Sequence, residues 1–349
     1  YVRGVSGNRA LYETFLKRIR ETSETGSLQT ANARIADPAV MPQKPDKPKK
    51  SLIVAIVMLM SLMFGVALAF LLDALDATIK NAEDIDHKLG FALLGILPLL
   101  KGIKAGKEKL DVALMPEKAP IRAFMHGDNT GFKESVRTLR TGVTLASLEE
   151  PVQVMLFTST VPGEGKTTTS ANFAAACGQM EKVLLIDADM RRPTIAKQLN
   201  ISASSKGLSN AVAYPDTLNE SIHHIEDLGI DVMPSGPIPP NPLELLASKN
   251  FQTVLAELKG RYSKIIIDSA PTHIVSDAAY LSTLVDGVVY VVKADSTNDK
   301  LVKSGLRRLD ESNARIIGVV LNQLDLEKEA KYGGDYSYSY GAYDYSANS

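Results

Sequence analysis

The segment Thr160-Val161-Pro162-Gly163-Glu164-Gly165-Lys166-Thr167 carries the most concentrated chemistry in the chain. Gly163 and Gly165 allow backbone N–H groups to close around phosphate oxygens. Lys166 places a positive charge on the β and γ phosphates, and Thr167 can ligate Mg²⁺. Thr160 stands where the phosphate-loop template has its first glycine. Context therefore carries the reading: an apolar, strand-like run (152–157) precedes the loop and a small-residue helix (168–177) follows it. The competing dinucleotide fingerprint fails, because Thr168 occupies its third glycine position.

Two acidic motifs close other apolar runs. Val183-Leu184-Leu185-Ile186-Asp187-Ala188-Asp189-Met190-Arg191-Arg192 sets two carboxylates one residue apart, and Ile265-Ile266-Ile267-Asp268-Ser269-Ala270-Pro271 adds a third. A single Asp at a strand end is more often a helix cap. Ligands of open α/β sheets sit at the carboxyl ends of strands, so three such groups beside a phosphate loop can converge on it. Asp268 is the natural Mg²⁺ partner outside the loop, while Asp187 and Asp189 serve the metal and a nucleophile. The site implied is an ATP–Mg²⁺ site, with Pro162 to Thr168 around the phosphates.

These groups need a scaffold. Apolar β-rich runs recur at 152–157, 183–186, 230–233, 265–267, 288–292 and 316–321, separated by helix-like stretches such as 243–258 and 300–309. Strands alternating with helices predict an α/β phosphate-loop NTPase fold, its mostly parallel sheet doubly wound and covered on both faces. Residues 51–72 hold 22 positions without a charge, about 33 Å of helix at ~1.5 Å per residue, which matches a bilayer core. Lysines crowd the start of this span and Asp73 and Asp76 follow it. That bias alone would put the N-terminal flank in the cytoplasm. ATP is cytoplasmic, so the side carrying the nucleotide site is assigned there and residues 1–50 outside. The expected order is an external helix foot and Pro/Lys-rich stalk (1–50), a transmembrane helix (51–72), a juxtamembrane linker (73–130), the nucleotide domain (131–331) and a tail (332–349). The chain opens on Tyr1 with no signal peptide and reads as the C-terminal part of something longer.

The tail abandons periodicity: Tyr332, Tyr336, Tyr338, Tyr340, Tyr343 and Tyr345 alternate with Gly, Ser, Ala and Asp. Six tyrosines so placed have no apolar face to bury them and read as a low-complexity segment. Upstream of the loop, Phe132, Val136, Leu139 and Val143 fall on one side of a helix and Glu134, Arg137 and Arg140 on the other, so the charged trio is expected to face outward. A net charge of −1 gives no global argument for nucleic acid. The single Cys177 excludes a disulfide framework. His87, His126, His223, His224 and His273 lack metal-ligand spacing, and no zinc is assigned.

Taken together, Pro-Gly-Glu-Gly-Lys-Thr, Asp-Ala-Asp-Met-Arg-Arg and Ile-Ile-Ile-Asp-Ser-Ala-Pro, with the upstream span and tyrosine tail, resemble the bacterial tyrosine kinases fused to polysaccharide co-polymerases. Ala36-Asp37-Pro38-Ala39 resembles their membrane-proximal stalk, and Gly236-Pro237-Ile238-Pro239-Pro240-Asn241-Pro242 with Glu244-Leu245-Leu246 a family loop. The resemblance implies an inner-membrane, non-specific protein-tyrosine kinase that phosphorylates its own tail and regulates capsule or exopolysaccharide polymerisation and export. It carries nucleotide roles to Lys166 and Thr167, catalytic roles to Asp187 and Asp189, a metal role to Asp268, and a contact with the base to Asn322. Asp187 is expected to act as base toward tyrosine. Glu134, Arg137 and Arg140 match a motif through which subunits form a ring, each tail being offered to the next subunit. Expected partners are further copies, the lipid bilayer, the polysaccharide machinery and a tyrosine phosphatase. Septum-site and partition ATPases, which share the fold, want a lysine where this chain has Val161. A membrane ATPase switch and a non-catalytic chain-length regulator are the alternatives.

Overall fold

The computed structural model describes residues 2–26, 47–100, 119–126, 129–202 and 204–331. The stalk prolines Pro38, Pro42 and Pro45, residues 101–118 of the expected linker and all six tail tyrosines lie outside them. The chain divides into two compact units, Tyr1–Asp73 and Ala74–Ser349.

The first unit holds helix α1 (Val2–Gly26), in the stretch expected as a helix foot, and helix α2 (Lys50–Leu75). Within α2, Lys50–Leu72 is long and apolar enough to cross a membrane, with a mean hydropathy of 2.8.

The second unit is an eight-stranded sheet. Its strands are β1 (Leu93–Pro98), β2 (Val154–Ser159), β3 (Val183–Asp187), β4 (His223–Ile225), β5 (Ile230–Met233), β6 (Lys264–Asp268), β7 (Gly287–Lys293) and β8 (Ile316–Leu324), in the order β1-β8-β7-β2-β6-β3-β5-β4. All neighbouring pairs run parallel except β4 with β5. Near-continuous apolar runs are what such a sheet demands, since side chains alternate between two covered faces. Met155 and Phe157 of β2 join one core with Phe132, Val136 and Leu139 of α3 (Thr130–Ala146) and Phe173 of α4 (Lys166–Gly178). Val154 and Leu156 join the other with Phe251 and Leu255 of α5 (Lys249–Lys259) and Val302 and Leu306 of α6 (Asp299–Asp310). The result is a helix–sheet–helix sandwich.

Two expectations change. Part of the stretch expected as linker, 73–130, is integral to the sheet domain: Ile79 and Ile85 are fully buried, and β1 pairs along β8. Its glycine, Gly95, admits α3 so closely that a Cβ there would lie 3.1 Å from the Leu139 backbone, and a Cβ on Gly142 would meet the Leu94 carbonyl at 2.3 Å. The second change concerns Arg140, which does not face outward with its neighbours. Its guanidinium donates to the Ala176 carbonyl in the last turn of α4 at 2.6 Å, where a cation complements the free carbonyls of a helix end. Glu134 and Arg137 form an ion pair with each other, and Arg137 lies 5.8 Å from the Phe124 ring centre.

Candidate functional site

The register of the central strands builds the site. Asp187 pairs with Asp268 across β3 and β6, and Asp268 pairs with Phe157 on β2, whose next turn is the glycine loop. Gly163 and Gly165 take φ of +88° and +87°, the left-handed region that glycine enters without a Cβ penalty. Gly165 caps the N-terminus of α4 and points the helix's free amides at the loop.

Lys166 is 9% exposed and lies at the centre. Its Nζ is 3.0 Å from Asp189 Oδ2 and 3.3 Å from Asp268 Oδ2, and the Thr167 hydroxyl donates to Asp268 Oδ2 at 2.6 Å. Asp187 is fixed by backbone donors: the Asp189 amide at 3.2 Å on one oxygen, and those of Thr194 and Ile195 at 3.3 and 3.2 Å on the other. Burial, then the adjacent Asp268 carboxylate, push Asp187 up to about 8. Burial also raises Asp268, against the pull of Lys166 and Thr167. For Lys166 burial acts downward, but Asp268 and Asp189 outweigh it and hold the ammonium above the usual lysine range.

A cavity of about 330 Å³ opens in front of these groups. Pro162, Gly163, Gly165, Lys166, Thr167 and Thr168 line one side, with Asp189, Arg191, Arg192, Pro271 and Ile274 among the rest. Arg191 is held by a bidentate pair with buried Asp277, Nε–Oδ2 2.8 Å and Nη2–Oδ1 3.0 Å.

The sequence-predicted residues Lys166, Thr167, Asp187, Asp189 and Asp268 thus come together. Two others are placed differently from expectation. Glu164 turns its carboxylate toward the end of β7, accepting from Thr297 Oγ1 at 2.6 Å. Asn322, expected at the base, donates its amide to the Glu164 carbonyl at 2.8 Å and braces the loop. Asp277 and Thr297 were not singled out from sequence, since nothing local to them marks their partners.

Among the described residues no three His, Cys, Asp or Glu side chains form a metal cage of their own. Mg²⁺ binds through one or two carboxylates plus phosphate and water. Thr167 with Asp268 and Asp187 fits that requirement, and the glycine loop with Lys166 fits a polyphosphate.

A parallel sheet whose central strands end in this loop and these carboxylates defines a P-loop NTPase, and the fold implies nucleotide binding. Residues 152–313 match the family described as "AAA domain", and residues 2–74 the family described as "G-rich domain on putative tyrosine kinase". Tyrosine-protein kinase YwqD of Bacillus subtilis (strain 168) is 34% identical over 57% of this chain and 84% of its own length. Tyrosine-protein kinase etk of Escherichia coli (strain K12) is 32% identical over 92% of this chain, which covers 45% of it. The solved kinase domain of E. coli ETK superposes with a TM-score of 0.62 at 28% identity, over 70% of this chain and 95% of that one. The chain belongs to the bacterial tyrosine kinases of the polysaccharide co-polymerase type. It spans about half the length of the longer relatives, 45% in the case of etk. The crossing-length helix α2, whose apolar span lies within the matched G-rich domain, supports an inner-membrane protein.

Proposed function

We propose that this chain is an ATP-dependent protein-tyrosine autokinase acting on its own C-terminal tyrosines. The observation that carries the reading is the convergence of Lys166, Thr167, Asp189 and Asp268 on one glycine loop beside a fully buried Asp187.

Phosphoryl transfer needs positioning and charge stabilisation rather than covalent chemistry from the protein. Lys166 would hold the β and γ oxygens, and the loop amides would orient them. Thr167, Asp268 and Asp187 would hold Mg²⁺, which when bound supplies neutralising charge. Asp187 would take the tyrosine proton as the phenolic oxygen bonds to the γ phosphorus and the bond to the β-phosphate oxygen breaks, releasing ADP. A tyrosine hydroxyl titrates near ~10, so a carboxylate whose own pKa is raised is better matched to it.

The acceptors are Tyr332, Tyr336, Tyr338, Tyr340, Tyr343 and Tyr345, presented between subunits of a ring through the Glu134–Arg137 surface. Residues 1–50 would be periplasmic and the sheet domain cytoplasmic. The regulated process is capsule or exopolysaccharide polymerisation and export, with a tyrosine phosphatase resetting the tail. The full chain, incubated with ATP–Mg²⁺ and mapped by mass spectrometry beside Lys166→Met, tests this. Phosphotyrosine in the tail of wild type alone is expected, and release of ADP and phosphate without it would make the chain an ATPase switch.

A further inference from the structure

Glu164 is an odd residue for a loop built to hold anions, because its carboxylate would repel the phosphates. The structure gives it another task. The side chain is 2% exposed and lies off the cavity lining formed by Pro162, Gly163, Gly165 and Lys166. Its Oε2 accepts the Val161 amide at 2.8 Å within the loop, while Oε1 accepts the Thr297 hydroxyl at 2.6 Å and the Lys293 amide at 3.4 Å. A carboxylate is buried without large cost only where donors replace water. The short side-chain donor comes from the connection between β7 and α6.

That connection is pinned from a distant part of the chain. The Ile79 amide donates to the Thr297 carbonyl at 3.2 Å, the Asp295 amide to Ile79 at 2.9 Å and the Asp299 amide to Ala77 at 2.8 Å. An antiparallel bridge pairs Thr78 with Asn298. Residues 77–79 therefore run along this connection, joined to it by a single antiparallel bridge and three amide hydrogen bonds, beginning two residues after α2 ends at Leu75. The backbone of Thr297 is held by Ile79, its hydroxyl holds Glu164, and Glu164 holds Val161.

We propose that Glu164 and Thr297 are a positioning pair that fixes the phosphate loop from behind, with residues 77–79 as its third member. Nucleotide occupancy and the order of that segment are thereby coupled, and coupling of this kind is reciprocal. The inference rests on the nucleotide reading above.

The test uses the full chain in detergent, as wild type, Thr297→Val and Thr297→Ser. ATP kinetics are measured together with amide hydrogen exchange with and without the Mg²⁺ complex of a non-hydrolysable ATP analogue. Thr297→Val is expected to raise the KM for ATP about tenfold, the scale of one lost hydrogen bond to a charged group, with kcat changed far less. Thr297→Ser restores most of the affinity. Analogue binding slows exchange at Ile79, Asp295 and Asp299 in wild type and Thr297→Ser but not in Thr297→Val. Wild-type affinity in Thr297→Val, a Ser variant as weak as Val, or three amides indifferent to nucleotide in wild type would each overturn the pair. If Thr297→Val does not fold, the Ser variant and the wild-type exchange still decide. A wild type that binds no nucleotide defeats the nucleotide reading and the pair together, whereas tight binding with an unaffected Val variant defeats the pair alone.

Discussion

Lys166→Met, the natural control for phosphoryl transfer, should cost stability as well as chemistry, by an amount set by pH. The ammonium lies 3.0 Å from Asp189 and 3.3 Å from Asp268, its side chain 11% exposed and that of Asp268 1%. Methionine keeps the length and removes the charge, leaving the buried Asp268 and Asp189 without the ammonium that lies between them. Deleting one partner of a buried pair costs about 3–5 kcal/mol. At roughly 2–4 °C per kcal/mol for a domain of this size class, the midpoint should fall by about 6–20 °C. The sign with pH follows from the raised carboxyls. Asp187 and Asp268 are both pushed above the ordinary aspartate range in the folded chain by burial. The native state therefore binds extra protons, and its stability declines as pH climbs from about 4 toward 8. Lys166 restrains that rise, so without it the decline is steeper and runs further. The deficit should be small near pH 5, where the carboxyls accept protons, and largest near pH 8. Thermal unfolding by circular dichroism on the full chain in detergent, without nucleotide, measures it across that range. Lys166→Met/Asp268→Asn should recover part of the loss at pH 8. A deficit that does not change with pH, or a double variant no more stable than the single one, would refute the electrostatic account.

Asp187→Asn should reduce tail phosphorylation by about a hundredfold or more, the scale of a lost general base, while binding of ATP–Mg²⁺ by titration calorimetry weakens far less. In wild type the phosphorylation rate should rise with pH along a limb set at or below about 8, because a bound cation draws Asp187 downward. Gly165→Ala places a Cβ 2.0 Å from Asn322 Nδ2 at a φ of +87°, and should abolish measurable nucleotide binding. Arg140→Ala loses the bond to Ala176 and should cost about 1–2 kcal/mol. Arg137→Ala breaks an exposed pair and the contact with the Phe124 ring and should cost about 1 kcal/mol. Sedimentation velocity on both separates assembly from folding: a loss of oligomer in Arg137→Ala at an unchanged melting midpoint identifies a subunit contact.

The central strands and the carboxylates at their ends were legible in the sequence because each is a contiguous motif whose residues act close to where they are written. β1 was not. Gly90, Gly95 and Pro98 interrupt its apolar run, and its extended form is fixed by pairing with β8, more than two hundred residues along. The rear of the glycine loop was hidden for the same reason: the contacts of Thr297 and Asn322 with Glu164 reach across 133 and 158 residues. Arg140 shows a different limit. Helical periodicity places it away from the apolar stripe of α3, and that is where it lies, but periodicity cannot reveal that the end of α4 occupies the neighbouring space. Asn322 ends an apolar run as expected of a ligand-facing residue, and its amide donates to the Glu164 carbonyl of the loop.

The close seating of α3 on β1 has a mechanical side. Where side chains separate two elements, small rotations can be absorbed by rotamer changes; at Gly95 and Gly142 the backbones meet directly and nothing soft lies between them. The same strand is stitched through Leu97 to Asn322 on β8, the residue bracing the glycine loop. A force applied at the exposed Glu134–Arg137 end of α3 would therefore reach the sheet with little slack, as through a bolted bracket rather than a sprung one.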